Sequence, residues 1–232
     1  TANEDILSYL PMAWVGDHLF SFAQAMVAGF TINCPESGET VMTDLRDIGP
    51  PYSFAPPRVF EGLLTSVMIR MEDAGKLKQK LFHHFMDVAK RCGADILDGK
   101  PVSTADRIQY ALGNFLTYGP LRNVLGMNRI RVAYTAGAAI GPELFSFYRS
   151  IGINLKQLYG QTETCAYVCL QPDGQVKADT VDAPAPGVEI KIAENGEVLV
   201  KGPMLLKGYY QRPDATAESI NADGYFLPGD AG

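Results

Sequence analysis

The sequence predicts an α/β fold, a parallel sheet flanked by helices, followed by a β-rich segment. Three observations carry this. A strand–loop–helix–strand pattern occurs twice, in "DILSYLPMAWVGDHLFSFAQAMVAGFTINCP" and in "RIRVAYTAGAAIGPELFSFYRSIGINLKQLYG". Parallel strands need such a crossover, usually a helix, to return the chain to the same edge. Residues 57–125 carry apolar residues at helical spacing. After Gln171 the texture changes to alternating apolar and polar residues broken by turn signals. The expected division is therefore an α/β part, 1–170, containing the helical segment 57–125, and a β-rich part, 171–232.

Each element has its own reason. Residues 6–10 are a short apolar run closed by Pro11. Asp17 is placed to cap a helix whose apolar face is Leu19, Phe20, Ala23 and Met26. Gly29 ends that helix, and residues 30–34 read as the next strand. Val59, Phe60, Leu63, Leu64, Val67, Met68 and Met71 share one helical face. Gly75 interrupts, and Leu77, Leu81, Phe82, Phe85 and Val88 begin a second helix. Lys76, Lys78, Lys80, Lys90 and Arg91 decorate it as a solvated face. His83 and His84 are adjacent, so they diverge on a helix and are not expected to share a metal. "CGADILDGKPVSTAD" is polar and turn-rich and is expected to be a loop, with helix resuming over 105–125. A strand over 130–134 runs into the small residues "TAGAA", and Pro142 and Glu143 open a helix. A strand over 155–159 stops at Gly160, and "IAENGEVLV" reads as a hairpin turning at Asn195-Gly196.

The totals exclude several classes. The chain has 232 residues, 47% of them hydrophobic and 20% charged, which is a globular composition. A net charge of −6 argues against a general nucleic-acid surface, which needs clustered Lys and Arg. No run of about 18 apolar residues is present, so no membrane span is expected. The four cysteines, 34, 92, 165 and 169, are too scattered for a disulfide framework or a zinc site. They read as buried free thiols of a cytoplasmic protein. The start lacks an initiator Met and the end stops on "YFLPGDAG", so both ends read as cut from something longer.

Two loops hold the residues with chemistry. "TAGAA" and "YGQTE" each follow a strand, where open α/β sheets hold ligands. Small residues let a planar group approach the backbone. Tyr159 offers an aromatic face, Thr162 a hydroxyl, and Glu163 a hard oxygen ligand for Mg²⁺. Together they suit a nucleotide with its metal, though neither loop is specific alone.

Four stretches together resemble the adenylate-forming enzymes, a family that includes acyl-CoA synthetases, luciferases and peptide-synthetase adenylation domains. "TAGAAIGPEL" is similar to the family's small-residue adenine loop, and "LYGQTE" to its Tyr-Gly-x-Thr-Glu motif. "GEVLVKGPMLLKGYYQRPDAT" is similar to its Gly-Glu…Gly-Tyr segment, and "DGYFLPGDAG" to its aspartate motif, usually Thr-Gly-Asp. The order and spacing match, and the resemblance covers essentially the whole chain. The helical segment, with its Pro-Arg-x-x-Glu-like start, resembles long-chain fatty acyl-CoA synthetases. "LPMAWVGDHLF" resembles their Leu-Pro-x-x-His segment, with Trp14 where many members carry His. The resemblance places the chain in the middle of the large N-terminal domain, its last part belonging to a distorted barrel.

The roles this implies are specific. Ala136, Gly137 and Ala138 would line the adenine and α-phosphate region, and Tyr159 would stack on adenine. Gly160 would lie beside the acyl carbonyl, and Trp14, expected to be buried, would line the acyl pocket. Thr162 would contact phosphate, Glu163 would ligate Mg²⁺, and Asp230 would accept hydrogen bonds from the ribose. Pro228 departs from the family, which usually has Thr or Arg there, and removes one hydrogen-bonding side chain. The implied reaction is adenylation of a fatty carboxylate by ATP with Mg²⁺, then thioester formation with CoA. The phosphate loop and the catalytic lysine domain of the family are not in this sequence, so the chain alone is expected to be inactive. The alternatives are an acyl-AMP ligase loading a carrier protein and a non-catalytic nucleotide-binding remnant. The partners implied are fatty acid, ATP and CoA, with peripheral membrane contact at most.

Overall fold

The computed structural model describes residues 4–232. Strand β1 (Asp5–Leu7) and strand β2 (Thr31–Asn33) pair in parallel, with Ile6 opposite Ile32. Between them a π-helical stretch, Asp17–Ala23, runs into α1 (Gln24–Ala28), and Gly29 closes it at φ 74°. This is the expected βαβ unit with two corrections. Asp17 is not the cap but the first helical residue, after Gly16. Its Oδ1 accepts from Ser8 Oγ (2.8 Å) and Ser21 Oγ (3.3 Å), tying the end of β1 to the helix. The expected apolar face also fails: Phe20 is buried, but Ala23 is exposed and Met26 is 74% exposed. A π-helix bonds i to i+5, so the face rotates away from 3.6-residue spacing.

Helix α2 (Val41–Ile48) and strand β3 (Tyr52–Phe54) follow. Then come α3 (Pro57–Glu72) and α4 (Lys76–Leu97), with Gly75 breaking them as expected. The anticipated loop from 92 is wrong for its first six residues. Cys92 is buried, and an added Cβ on Gly93 would sit 2.0 Å from Ser150 O, so tertiary packing holds the helix to Leu97. Ser103 then caps α5 (Thr104–Gly113), its Oγ accepting from the Asp106 amide at 3.0 Å. A π-helical stretch, Asn114–Tyr118, leads into α6 (Gly119–Val124).

Strand β4 (Val132–Thr135), helix α7 (Pro142–Ser150) and strand β5 (Leu155–Tyr159) form the second crossover unit. With β6 (Cys169–Leu170) they complete a sheet ordered β3-β4-β5-β6, parallel except for the last pair. Alternation along β4 separates two cores. Ala133 joins the main one, with Phe60, Tyr118, Tyr148 and Ile151. Tyr134 packs toward the other, around Phe20, Ala136, Leu158 and Ala166. Tyr148 donates to Phe60 O at 2.6 Å, so this buried hydroxyl is satisfied. Arg149, almost fully buried, pairs with the buried Asp98 and donates to Leu155 O.

Past residue 170, β7 (Glu189–Ile192) and β8 (Val198–Lys201) form the expected hairpin, Ile190 opposite Val200. Phe226 and Ala231 bridge to its second strand and turn. Helix α8 (Pro213–Ser219) interrupts the strand character. Among the described residues these strands do not close into a barrel. Cys92 and Cys169 are buried, but Cys34 and Cys165 are exposed, against the expectation for all four. His83 and His84 are exposed. No described helix is long and apolar enough to cross a membrane.

Candidate nucleotide site

Thr135 ends β4 and Tyr159 ends β5, both strands being parallel, so the two small-residue loops leave from the same edge of the sheet. Between them lies a cleft of about 1060 Å³, at the upper end of the range for small-molecule sites. Gly137 and Ala138 line one wall, Tyr159 and Gly160 another, and Asp230 reaches it from the C-terminal segment. A third wall is residues 178–182. Gly137, Tyr159 and Asp230, far apart in sequence, therefore line one cleft.

Hydrogen bonds hold the walls together. Tyr159 Oη donates to Asp230 Oδ2 at 2.5 Å, and Gln161 Nε2 donates to the same oxygen at 2.9 Å. Gln161 also donates to Pro228 O at 3.3 Å. A backbone carbonyl thus makes a contact at Pro228 that needs no side chain there. Burial, and after it the bond to Asp230, raises the Tyr159 phenol above its ordinary range, so it remains a donor at neutral pH.

Gly160 is required by packing. A Cβ there would stand 2.4 Å from the Ala166 carbonyl carbon, and Gln161 O accepts from the Ala166 amide at 2.8 Å. Gly137 is required by conformation instead: its φ is 88°, with open space around it. After Gln161 the chain makes a single 3-10 turn, Thr162–Thr164, closed by reciprocal bonds between Gln161 and Thr164. Thr162 is exposed and Glu163 half-buried, and this turn leaves the cleft at Gln161, so neither side chain lies on its wall. Tyr209 Oη donates to Glu163 Oε1 at 3.0 Å, and the Leu206 amide donates to Glu163 O at 2.8 Å.

Two further predicted residues sit elsewhere than the resemblance implies. Ala136 is buried in the Phe20 core rather than on the cleft wall. Trp14, expected to be buried, is 49% exposed and off the cleft lining. The aromatic cluster of this part of the chain is instead Phe20 stacked on Phe54 at 4.5 Å, with Tyr52 alongside. Sequence reasoning missed Gln161, Gln157 and Tyr209. Gln157 Nε2 donates to the carbonyls of Ala178 and Thr180, both at 3.1 Å, which fixes the third wall. Gln161 stood in the quoted motif as its variable residue, so its type carried no signal. Among the described residues no group of three or more His, Cys, Asp or Glu could hold a metal ion.

Residues 1–210 match the AMP-binding enzyme family. The chain is 30% identical over 235 residues to a long-chain-fatty-acid–CoA ligase of Mycobacterium bovis, covering 99% of this chain and 37% of that protein. It is 27% identical to a long-chain-fatty-acid–CoA ligase of Drosophila melanogaster, covering 99% of this chain and 35% of that protein. The chain thus spans little more than a third of these curated relatives. The fold is shared with the N-terminal domain of FACL13 from Mycobacterium tuberculosis, with TM-score 0.61 and 19% identity over 98% of this chain and 47% of that one. It is also shared with a carboxylic acid reductase didomain from Segniliparus rugosus solved in complex with AMP, with TM-score 0.63 and 23% identity over 97% of this chain and 28% of that one. On a match over nine-tenths of its length, in a chain whose motif loops face one cleft, this protein belongs to the AMP-binding enzyme family.

Proposed function

We propose that the chain is the nucleotide-holding part of a long-chain fatty acid–CoA ligase, with α/β and β-rich parts meeting near residue 170. The observation that carries this is the junction at Asp230. Asp230 reaches the cleft from the C-terminal end of the chain and is fixed there by Tyr159 and Gln161, across from the wall that carries Asp179 and Asp182. In the reaction, a fatty carboxylate attacks the α-phosphorus of ATP, giving acyl-adenylate and pyrophosphate. The CoA thiol then attacks the acyl carbonyl and AMP leaves. No protein nucleophile is needed, because the substrate is one. The task of the chain is to position an anion against a polyanion.

Each residue has a share of that task. The Tyr159 ring offers a face for adenine, beside the open backbone of Gly137 and Ala138. Asp230 Oδ1, left by Tyr159 and Gln161 on Oδ2, is available to the ribose hydroxyls. Gly160 leaves room at the acyl carbonyl, and Trp14 with the Phe20 cluster flanks the chain's path. Thr162, exposed on the turn that leaves the cleft at Gln161, would donate to a phosphate that extends past the cleft wall. Glu163 fits Mg²⁺ as one carboxylate acting with substrate phosphates, the usual way Mg²⁺ is held in such sites. Tyr209 occupies Oε1 and leaves Oε2 for the ion. The ion supplies charge neutralisation at the phosphates when bound.

Calorimetric titration of AMP tests the reading. Binding is expected, and Asp230→Ala should weaken it about 10- to 100-fold, as a hydrogen bond to a charged group is worth roughly 1.5–3 kcal/mol. AMP binding untouched by this variant would overturn the assignment of the cleft.

A further inference from the structure

A second concavity lies on the helical face, sharing no lining residue with the nucleotide cleft. It is a groove of about 250 Å³ between α3, α4 and the π-helical stretch with α6. Its floor is the buried Val67, Phe82 and Leu121, and Leu81 and Leu116 stand partly exposed at its lips. Two cations line it, Arg70 and Lys78. Their side chains are exposed and make no ion pair or hydrogen bond among the described residues, and no carboxylate lines the groove. This face carries the main core, whereas the Phe20 cluster proposed to flank the acyl path is on the other side of β4.

We propose that this groove binds a single amphiphilic anion, an unbranched alkyl chain lying along Val67, Phe82 and Leu121 with its carboxylate between Arg70 and Lys78. The chemistry of the walls selects this occupant. An apolar trough rewards each methylene it covers by about fourfold in affinity. Two unpartnered cations and no acid favour an anionic head over a cationic one. The volume takes about eight groups of roughly 30 Å³ each, so it covers about two thirds of one twelve-carbon chain and has no room for a second. A flat bilayer would not enter so narrow a trough. Leu116, which forms one lip, lies on the π-helical stretch and is 41% exposed. This site is independent of the cleft, so its failure would leave the nucleotide reading untouched.

The test is calorimetric titration of the chain with dodecanoate below its micelle-forming concentration, with dodecyltrimethylammonium as the cationic probe. Dodecanoate should bind one-to-one, and the ammonium at least tenfold more weakly. Arg70→Glu with Lys78→Glu should cost about tenfold, modest because both are solvated, and 1 M NaCl should act likewise. Leu116→Trp should block the trough and cost at least tenfold, with helicity by circular dichroism unchanged in both variants. The proposal is overturned if dodecanoate does not bind, or binds equally to all three proteins. It is also overturned if only vesicles of phosphatidylserine and phosphatidylcholine bind and the monomeric anion does not.

Discussion

Glu163 illustrates how much one residue depends on a distant one. Its carboxylate is held by Tyr209, forty-six positions later, and its backbone carbonyl by Leu206. Glu163→Gln is expected to keep the fold and to raise the Mg²⁺ concentration needed for adenylation in the complete enzyme, because an amide is a poorer ligand for a hard cation. An unchanged Mg²⁺ dependence of fatty-acid-dependent pyrophosphate exchange would remove Glu163 from the site. In the proposed site the Tyr159 hydroxyl holds Asp230 and the ring would carry adenine, and the two are separable. Tyr159→Phe retains the face for adenine, and Gln161 still holds Asp230, so AMP affinity should fall less than tenfold. Tyr159→Ala removes the face and should weaken AMP binding by more than the Phe variant does. Equal losses in the two would mean that the ring does not stack.

At the scale of elements, α4 and α7 define how the helical layer sits on the sheet. Gly93 lets the α4 backbone meet that of Ser150. Gly93→Ala must push the helices apart and is expected to cost about 1–3 kcal/mol by urea denaturation, the range for overpacking. The Arg149–Asp98 pair joins the same elements, with side chains only 4% and 7% exposed. Asp98→Ala leaves a buried guanidinium without its partner and should cost about 3–5 kcal/mol. Adding Arg149→Met should recover much of that loss, because the pair's value is mostly the penalty of breaking it. A double variant no more stable than Asp98→Ala would show that Arg149 holds α7 through Leu155 O instead.

For the whole molecule, the acidic limit of stability follows from its paired carboxylates. Lys156, nearly buried, holds the Asp173 carboxyl below its usual range, with Asn154 adding to this. Tyr225 does the same to Glu189, as do Ser103 and Arg91 to Asp106. A carboxyl whose folded pKa is lowered contributes stability that is present above its unfolded value, near 4, and is lost as pH falls through the folded value. Unfolding free energy should therefore decline below about pH 4. Asp173→Asn should lower stability at pH 7 by less than about 1 kcal/mol, because Asp173 itself is exposed. It should also flatten the decline at low pH. A variant with the same acid slope as the parent chain would rule out the Lys156 pairing as a contributor.

The crossover units, the break at Gly75, the strand that ends at Tyr159 and the hairpin at Asn195-Gly196 were legible because their signals are local: period, cap and turn chemistry lie within a few residues. The motif loops were legible for the same reason, and so was their place at strand ends. The π-helical turns, the extension of α4 to Leu97, the burial of Ala136 and the exposure of Trp14 were decided only in three dimensions. In each the deciding partner is remote: Ser150 against Gly93, or the Phe20 core against Ala136. The same holds for the bonds from Tyr159 and Gln161 to Asp230, which span about seventy residues. Periodicity reports which residues prefer the interior. Packing and hydrogen-bond satisfaction across the chain decide which of them reach it, and which polar groups meet.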